Sequence, residues 1–348
     1  MNNRLPLIIG AGAFVVLAGG YFGLSAYSSK QAQKTLEDWV YDASLDEKLT
    51  WRTVSASPFG GSVSIADVEL NLGKNQPELR AAKLIISERI NDDSQTRLRL
   101  QFKGIEADGA AFNGLRSLGA MAGSNIDRGL ARASHSFEPA LSSGLATLKP
   151  FDLEVFVDVD DDAGTAAAEL AIALPELFDS RVSYKLNNQR GLNRSLKRLE
   201  GNLDGEGNMY RALDKLEGLA ESIERAEIVS IQFSLQDRGM VERSIALQQR
   251  YNTPLDPTAG SADKQRSEHY EKLVERTVKD CESERHDMPE SLSNSCELLG
   301  KVMLGKVSGV ELSIEPKESV RIADLSKLTN ARQGKRVLDR LNPQLDSI

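Results

Sequence analysis

Dense clusters of basic side chains are missing from this chain. It has 43 Lys and Arg against 51 Asp and Glu, for a formal charge of −8. Binding a phosphate backbone needs a basic face, so nucleic acid is a poor partner. No Lys/Arg run follows Ser29, which argues against tight docking on anionic lipid. Aromatics make up 5% of the residues, with Trp39 and Trp51 the two tryptophans, so stacking platforms for sugars or bases are not on offer. The histidines, His135, His269 and His286, are scattered. None has a partner four residues on, so the zinc-binding helix of a metalloprotease is absent. There is no G-x-S-x-G elbow, no phosphate-cradling glycine loop and no C-x-x-C. The sequence therefore nominates no catalytic residue, no cofactor and no metal ligand, and reads as non-enzymatic.

Charge is also absent from residues 5–29, LPLIIGAGAFVVLAGGYFGLSAYSS, most of which are apolar. A helix rises about 1.5 Å per residue and a bilayer core is about 30 Å thick, so the run is long enough to span. It is longer than the apolar core of a secretory signal, and Ala26-Tyr27-Ser28 is a poor cleavage box. An uncleaved anchor over residues 1–29 is expected. Arg4 and the amino terminus precede the run, and Lys30 and Lys34 follow it, close to a tie in positive charge. The four-residue stub, with Glu37 and Asp38 after the run, favours a cytoplasmic N-terminus and a translocated domain of about 320 residues. Tyr21 and Tyr27 fit an interfacial belt at the outer end. Gly19 and Gly23 form a G-x-x-x-G that would allow weak helix pairing, although a helix this rich in Gly and Ala matches that spacing easily.

The two cysteines, Cys281 and Cys296, are the next informative feature. An even pair in a translocated domain suggests a disulfide. Tyr270, Leu273, Val274, Thr277, Val278 and Cys281 fall on one helical stripe. A second helix is predicted from near Asp287, with a D-x-x-E pattern to Glu290 and Pro289 in the first turn. Leu292, Cys296, Leu299 and Met303 would share its inner face. Both cysteines then point into the seam of one helical hairpin.

Between anchor and hairpin the pattern is mostly strand. Leu36, Trp39 and Val40 extend the first helix to about Ala43. TWRTVSAS and GSVSIADVELNL alternate apolar and polar residues, and a phase change at Ala66-Asp67 predicts a β-bulge. In TRLRLQFKGIEAD, Leu98, Leu100 and Phe102 face one way and Arg97, Arg99, Gln101 and Lys103 the other, as in a sheet wet on one side. Residues 109–148 dissolve into Gly, Ala and Ser and read as a loosely helical excursion. FDLEVFVDV and TAAAELAIAL then flank an acidic turn at residues 160–164. Asp158, Asp160, Asp162 and Glu169 match the calcium-loop spacing of an EF-hand. Ala163 stands where that loop needs Gly, however, and the flanks are strands, so an acidic hairpin tip is the better reading. SRVSYKL, EIVSIQFSLQD and GVELSIEP are further strands. Helices are expected at residues 208–223 and 238–251, with short ones from Ala323 and Ala331. The fold class is α+β: an N-terminal transmembrane helix, then a large, mainly antiparallel sheet with packed amphipathic helices. The extracytoplasmic part, residues 30–348, divides into sub-parts 47–108 and 150–348 around the Gly/Ala-rich excursion.

GSVSIADVELNL followed by PELRAAKLIIS, the strand-to-helix step IQFSLQDRGMVERSIALQQRY with Asp237, Gly239, Met240 and Val241, and the closing ELSIEPKESVRIADLSKL together resemble the AsmA-like and YdgA-like bacterial envelope proteins. The resemblance covers about half the chain. It implies an inner-membrane protein with a β-rich periplasmic domain and a role in envelope or lipid homeostasis, without catalytic residues. Two functions follow as expectations. One is an assembly or interaction factor whose sheet is covered by helices and which binds an envelope protein. The other is a lipid handler with an apolar groove lined by Leu98, Leu100, Phe102, Val155, Val157, Leu170 and Ile172.

Overall fold

The computed structural model describes residues 29–42, 48–57, 61–71, 78–107, 144–145, 148–200, 223–284, 289–329 and 331–348. The apolar run up to residue 28 with Gly19 and Gly23, most of the excursion at 109–148, the helix expected at 208–223 except for Ile223, and His135 and His286 lie outside them. Among the described residues no helix is long and apolar enough to cross a membrane.

Eleven strands build one sheet. They are β1 (Leu49–Thr50), β2 (Thr53–Ala56), β3 (Ser62–Asn71), β4 (Glu78–Asn91), β5 (Gln95–Ala107), β6 (Phe151–Asp160), β7 (Thr165–Leu174), β8 (Phe178–Asn187), β9 (Glu227–Asp237), β10 (Gly309–Ile314) and β11 (Pro343–Ser347). The order is β1-β3-β4-β5-β6-β7-β8-β9-β10-β11, with β2 also paired to β3. The pairs from β2–β3 through β5–β6, and β9–β10 and β10–β11, are antiparallel. The helices are α1 (Ser29–Asp42), α2 (Leu192–Glu200), α3 (Met240–Asn252), α4 (Ala262–Glu284), α5 (Ser295–Met303) and α6 (Ala331–Leu341). An α+β fold with a large antiparallel sheet is thus what the alternating segments produce. The described residues fall into two compact units. The first draws on the N-terminal strands, Pro150–Leu170 and Lys185–Ala226, the second on Ala171–Tyr184 and Glu227–Ile348.

In the first unit, register turns the alternation into a core. Val54, Ile65, Leu84, Phe102 and Leu153 are successive partners across β2 to β6. Val63, Ile86, Leu100 and Val155 form the adjoining row. Opposed side chains on neighbouring strands share a face and stabilise each other by contact. α1 packs on β2 and buries Ala32, Leu36 and Val40, which recur every four residues and so form one stripe.

The expected bulge at Ala66-Asp67 is not an inserted residue. The β3–β4 register is the same on both sides of it. Instead Asp67 has φ 51°, a left-handed backbone that few non-glycine residues adopt. That twist moves the buried set from Val63 and Ile65 to Val68. Ala82 follows opposite, and then Gly104, with φ 61°. A Cβ on Gly104 would stand 3.2 Å from the Ala82 Cβ. An inserted residue does appear in β4, where the register shifts between Ser87 and Ile90.

α2 owes its start to a distant residue. Asp161, in the β6–β7 turn, accepts the backbone N–H groups of Asn193 at 2.9 Å and Arg194 at 3.3 Å. A carboxylate there satisfies orphan donors of the first turn and suits the positive end of the helix dipole. Asn193 is fully buried. Its Oδ1 accepts from the Thr96 hydroxyl at 2.6 Å, and its Nδ2 donates to the carbonyls of Asp92 and Asp93. Helix and hairpin tip are thereby tied together.

In the second unit, α3 begins at the D-R-G-M-V step. The Asp237 carboxylate accepts from the N–H groups of Gly239 and Val241 at 3.1 and 3.0 Å. Gly239 has φ 111°, which glycine tolerates at no steric cost. Arg238 pairs with Asp179 at 2.7 Å and donates its backbone N–H to Leu177.

Cys281 and Cys296 are joined, with Cα atoms 5.7 Å apart. The first helix of this hairpin is α4, as its stripe predicts, and Tyr270 and Val274 are buried. The second helix starts later than expected, at Ser295. Pro289 instead precedes a 3-10 turn at Glu290–Leu292, which packs on β11. Leu298 rather than Leu299 is the buried neighbour of Cys296, and Leu299 and Leu273 are exposed. Gly300 sits against α4 so closely that a Cβ would fall 2.7 Å from the Val278 side chain. The Tyr270 hydroxyl donates to the Met303 carbonyl at 2.7 Å.

Candidate functional site

The apolar face of β5 and β6 was the expected groove. Leu98 pairs with Val157, Leu100 with Val155 and Phe102 with Leu153, so these residues do share one face. Leu98, Leu100 and Phe102 are only 6%, 3% and 8% exposed. Val155, Val157 and Ile172 are half-buried, and Leu170 is 47% exposed. The β5 part of the set is closed core. Leu170, the one exposed member, stands on β7.

The opposite face of β5 and β6 is a ladder of ion pairs. Arg97 meets Asp158 at 2.6 Å, Lys103 meets Asp152 at 3.0 Å, and Arg99 meets Glu88 at 2.7 Å. Arg99 also pairs with Glu154, approaches Glu169 to 3.9 Å, and lies 4.5 Å from the Phe156 ring centroid. Gln95 and Gln101 donate to Asp158 and Glu154. Arg97, Arg99, Gln101 and Lys103 are thus the polar side that the alternation predicts.

Three of the four carboxylates with calcium-loop spacing are engaged elsewhere. Asp158 serves Arg97 and Gln95, Asp160 accepts the Ala163 N–H at 2.8 Å, and Glu169 lies by Arg99. Among the described residues no group of three His, Cys, Asp or Glu side chains is placed to hold a metal ion. Burial pushes the Asp158 carboxyl up, but the hydrogen bonds from Arg97 and Gln95 outweigh it and hold it below its ordinary value of 3.8. A depressed carboxyl stabilises the fold fully above its unfolded pKa, and that contribution is lost as pH falls through the folded value. Asp158→Asn should therefore cost stability at neutral pH and flatten the loss of stability below about pH 4. Urea midpoints measured from neutral to acid pH check this; parallel profiles for variant and wild type would contradict it.

The alternation of EIVSIQFSLQD places Val229 inward with Ile231, Phe233 and Leu235, but the structure buries its neighbour Ile228 and leaves Val229 exposed; sequence reasoning does not single out Val182 and Tyr184. On β8, Val182 is 36% and Tyr184 41% exposed, and on the neighbouring strand β9 Val229 is 40% exposed. Val182 and Tyr184 are two residues apart and share a face of β8. Alternation alone shows which residues share a face but not whether anything lies over it. No protein-family model matches this chain, and no curated protein matches it. Near both ends of the strand order, backbone groups have partners. At β2, the Ala56 N–H donates to the Ser29 hydroxyl at 3.1 Å. At β11, Asn294 donates to the Leu345 carbonyl at 3.1 Å, and the Glu290–Leu292 turn packs on the strand. Edge groups engaged in this way oppose strand-to-strand pairing with other chains.

Proposed function

We propose that this chain is a bacterial inner-membrane protein of the AsmA-like or YdgA-like kind. It has a single N-terminal span and a periplasmic domain that acts, without catalysis, as a protein-interaction or assembly factor in envelope maintenance. The observation that carries the interaction role is the contrast between two apolar sets. The groove candidates on β5 are sealed at 3–8% exposure, whereas Val182, Tyr184 and Val229 remain more than a third exposed. Sealed strands are ordinary core, whereas apolar side chains left uncovered on adjacent strands offer area for a partner to cover. The disulfide suits an oxidising compartment, and the charge-free run at 5–29 suits an anchor.

A photo-crosslinking side chain at Val182 in the full-length, membrane-embedded protein tests this reading. It should capture a discrete protein species, and the same probe at Lys279, exposed on α4, should not. If native mass spectrometry of gently extracted protein finds bound lipid and Val182 captures no protein, the lipid-handling function takes its place.

A further inference from the structure

We infer that Cys281 is a thiol-modification site: it is the sulfur of the disulfide through which a dithiol reductant opens the α4–α5 hairpin of the folded protein.

The two halves of the bond are not equivalent. Cys296, in the first turn of α5, is 0% exposed. Cys281, in the last turn of α4, is half-buried between exposed Asp280 and Glu282. A thiolate opens a disulfide by attacking one sulfur in line with the bond, and the other sulfur leaves. Attack on the Cys296 Sγ would have to come through the packed seam, where Gly300 lies so close to Val278 that no Cβ fits between them. Attack in the folded protein therefore falls on Cys281. A bond forms between the reductant sulfur and the Cys281 Sγ, the Cys281–Cys296 bond breaks, and Cys296 leaves as a thiolate and takes up a proton.

The buried partner also decides which reductant succeeds. Cys296 stays close to Cys281, whose Cα lies 5.7 Å away in the closed hairpin, because the Tyr270–Met303 hydrogen bond and the Gly300 contact still hold α5 on α4. A sulfur held there has a high effective concentration toward the mixed disulfide. It attacks the Cys281 Sγ and expels a monothiol, and the bond closes again. A dithiol escapes this reversal. Its second thiol attacks its own sulfur in the mixed disulfide, it leaves as an internal disulfide, and Cys281 departs as a thiol. Two electrons and two protons pass from the dithiol to the cysteine pair. Opening the bond frees α5 at Cys296, two positions after Asn294, whose side chain donates to the Leu345 carbonyl on β11.

The test treats oxidised, folded, full-length protein with glutathione or with dithiothreitol at equal thiol concentration. Samples are quenched in acid, unfolded and alkylated with N-ethylmaleimide, and the peptides are read by mass spectrometry. Glutathione should be found on Cys281, with the alkyl tag on Cys296, several-fold more often than the reverse, and most of the bond should stay closed. Dithiothreitol should open the bond fully, and faster than the whole protein unfolds by hydrogen exchange. In denaturing urea the preference for Cys281 should vanish, because burial no longer shields Cys296. Adducts shared equally between the two cysteines of folded protein, or found chiefly on Cys296, would overturn the inference. So would reduction by dithiothreitol that is no faster than global unfolding, or a preference that persists in urea.

Discussion

Leu100→Ala should lower the stability of the protein by about 2–5 kcal/mol, the range for truncating a leucine inside a packed core. Leu100 is 3% exposed and sits mid-row between Ile86 on β4 and Val155 on β6. Removing its branched end leaves a cavity whose walls are themselves fixed by the ladder, so little relaxation is available to reduce the cost. Chemical denaturation at constant slope measures the loss. A groove residue would behave otherwise: with its side chain already facing ligand or water, truncation would cost well under 1 kcal/mol and alter bound lipid instead. A small stability change together with lost lipid in native mass spectra would return Leu98, Leu100 and Phe102 to the groove.

The same residues show where sequence reasoning stops. The alternation of TRLRLQFKGIEAD determines which side chains share a face, because successive residues of a strand point to opposite sides. It therefore predicts both the Leu98-Leu100-Phe102 row and the Arg97-Arg99-Gln101-Lys103 ladder. What covers a face depends on distant chain. For that reason the closure over β5 and the exposure of Val182, Tyr184 and Val229 were not legible.

α2 escaped notice for a related reason. The helix has nine residues, short for independent stability, and its start is held by Asp161, 32 positions earlier in the chain. β11 is five residues long, opens with a proline and alternates weakly, so nothing local marks it as a strand. At Asp67 the phase change was visible but its cause was not, because a left-handed residue and an inserted one shift the apolar pattern alike. The helical stripe before Cys281 was legible from its period. The start of α5 was not, since a capping pattern at Asp287 and Glu290 also suits a 3-10 turn.

Replacing both cysteines, Cys281→Ala with Cys296→Ala, should cost about 3 kcal/mol, the chain-entropy value for a loop of this size. The sequence separation is 15 residues. Alanine is the right replacement because Cys296 is fully buried and a serine hydroxyl there would add the penalty of an unpaired polar group. The damage should also spread in a definite direction. The hairpin packs Gly300 against Val278, joins Tyr270 to Met303, and lays Asn294 and the Glu290–Leu292 turn on β11. Unclamping it should speed amide hydrogen exchange first in β11 and its partner β10, while the β4–β5 pair keeps its protection. Reducing the wild-type protein with a dithiol should reproduce both effects, which separates the covalent link from the altered side chains. If reduced and oxidised protein unfold at the same denaturant concentration, the bond adds nothing, and the packing of α4 on α5 alone keeps the β11 edge covered.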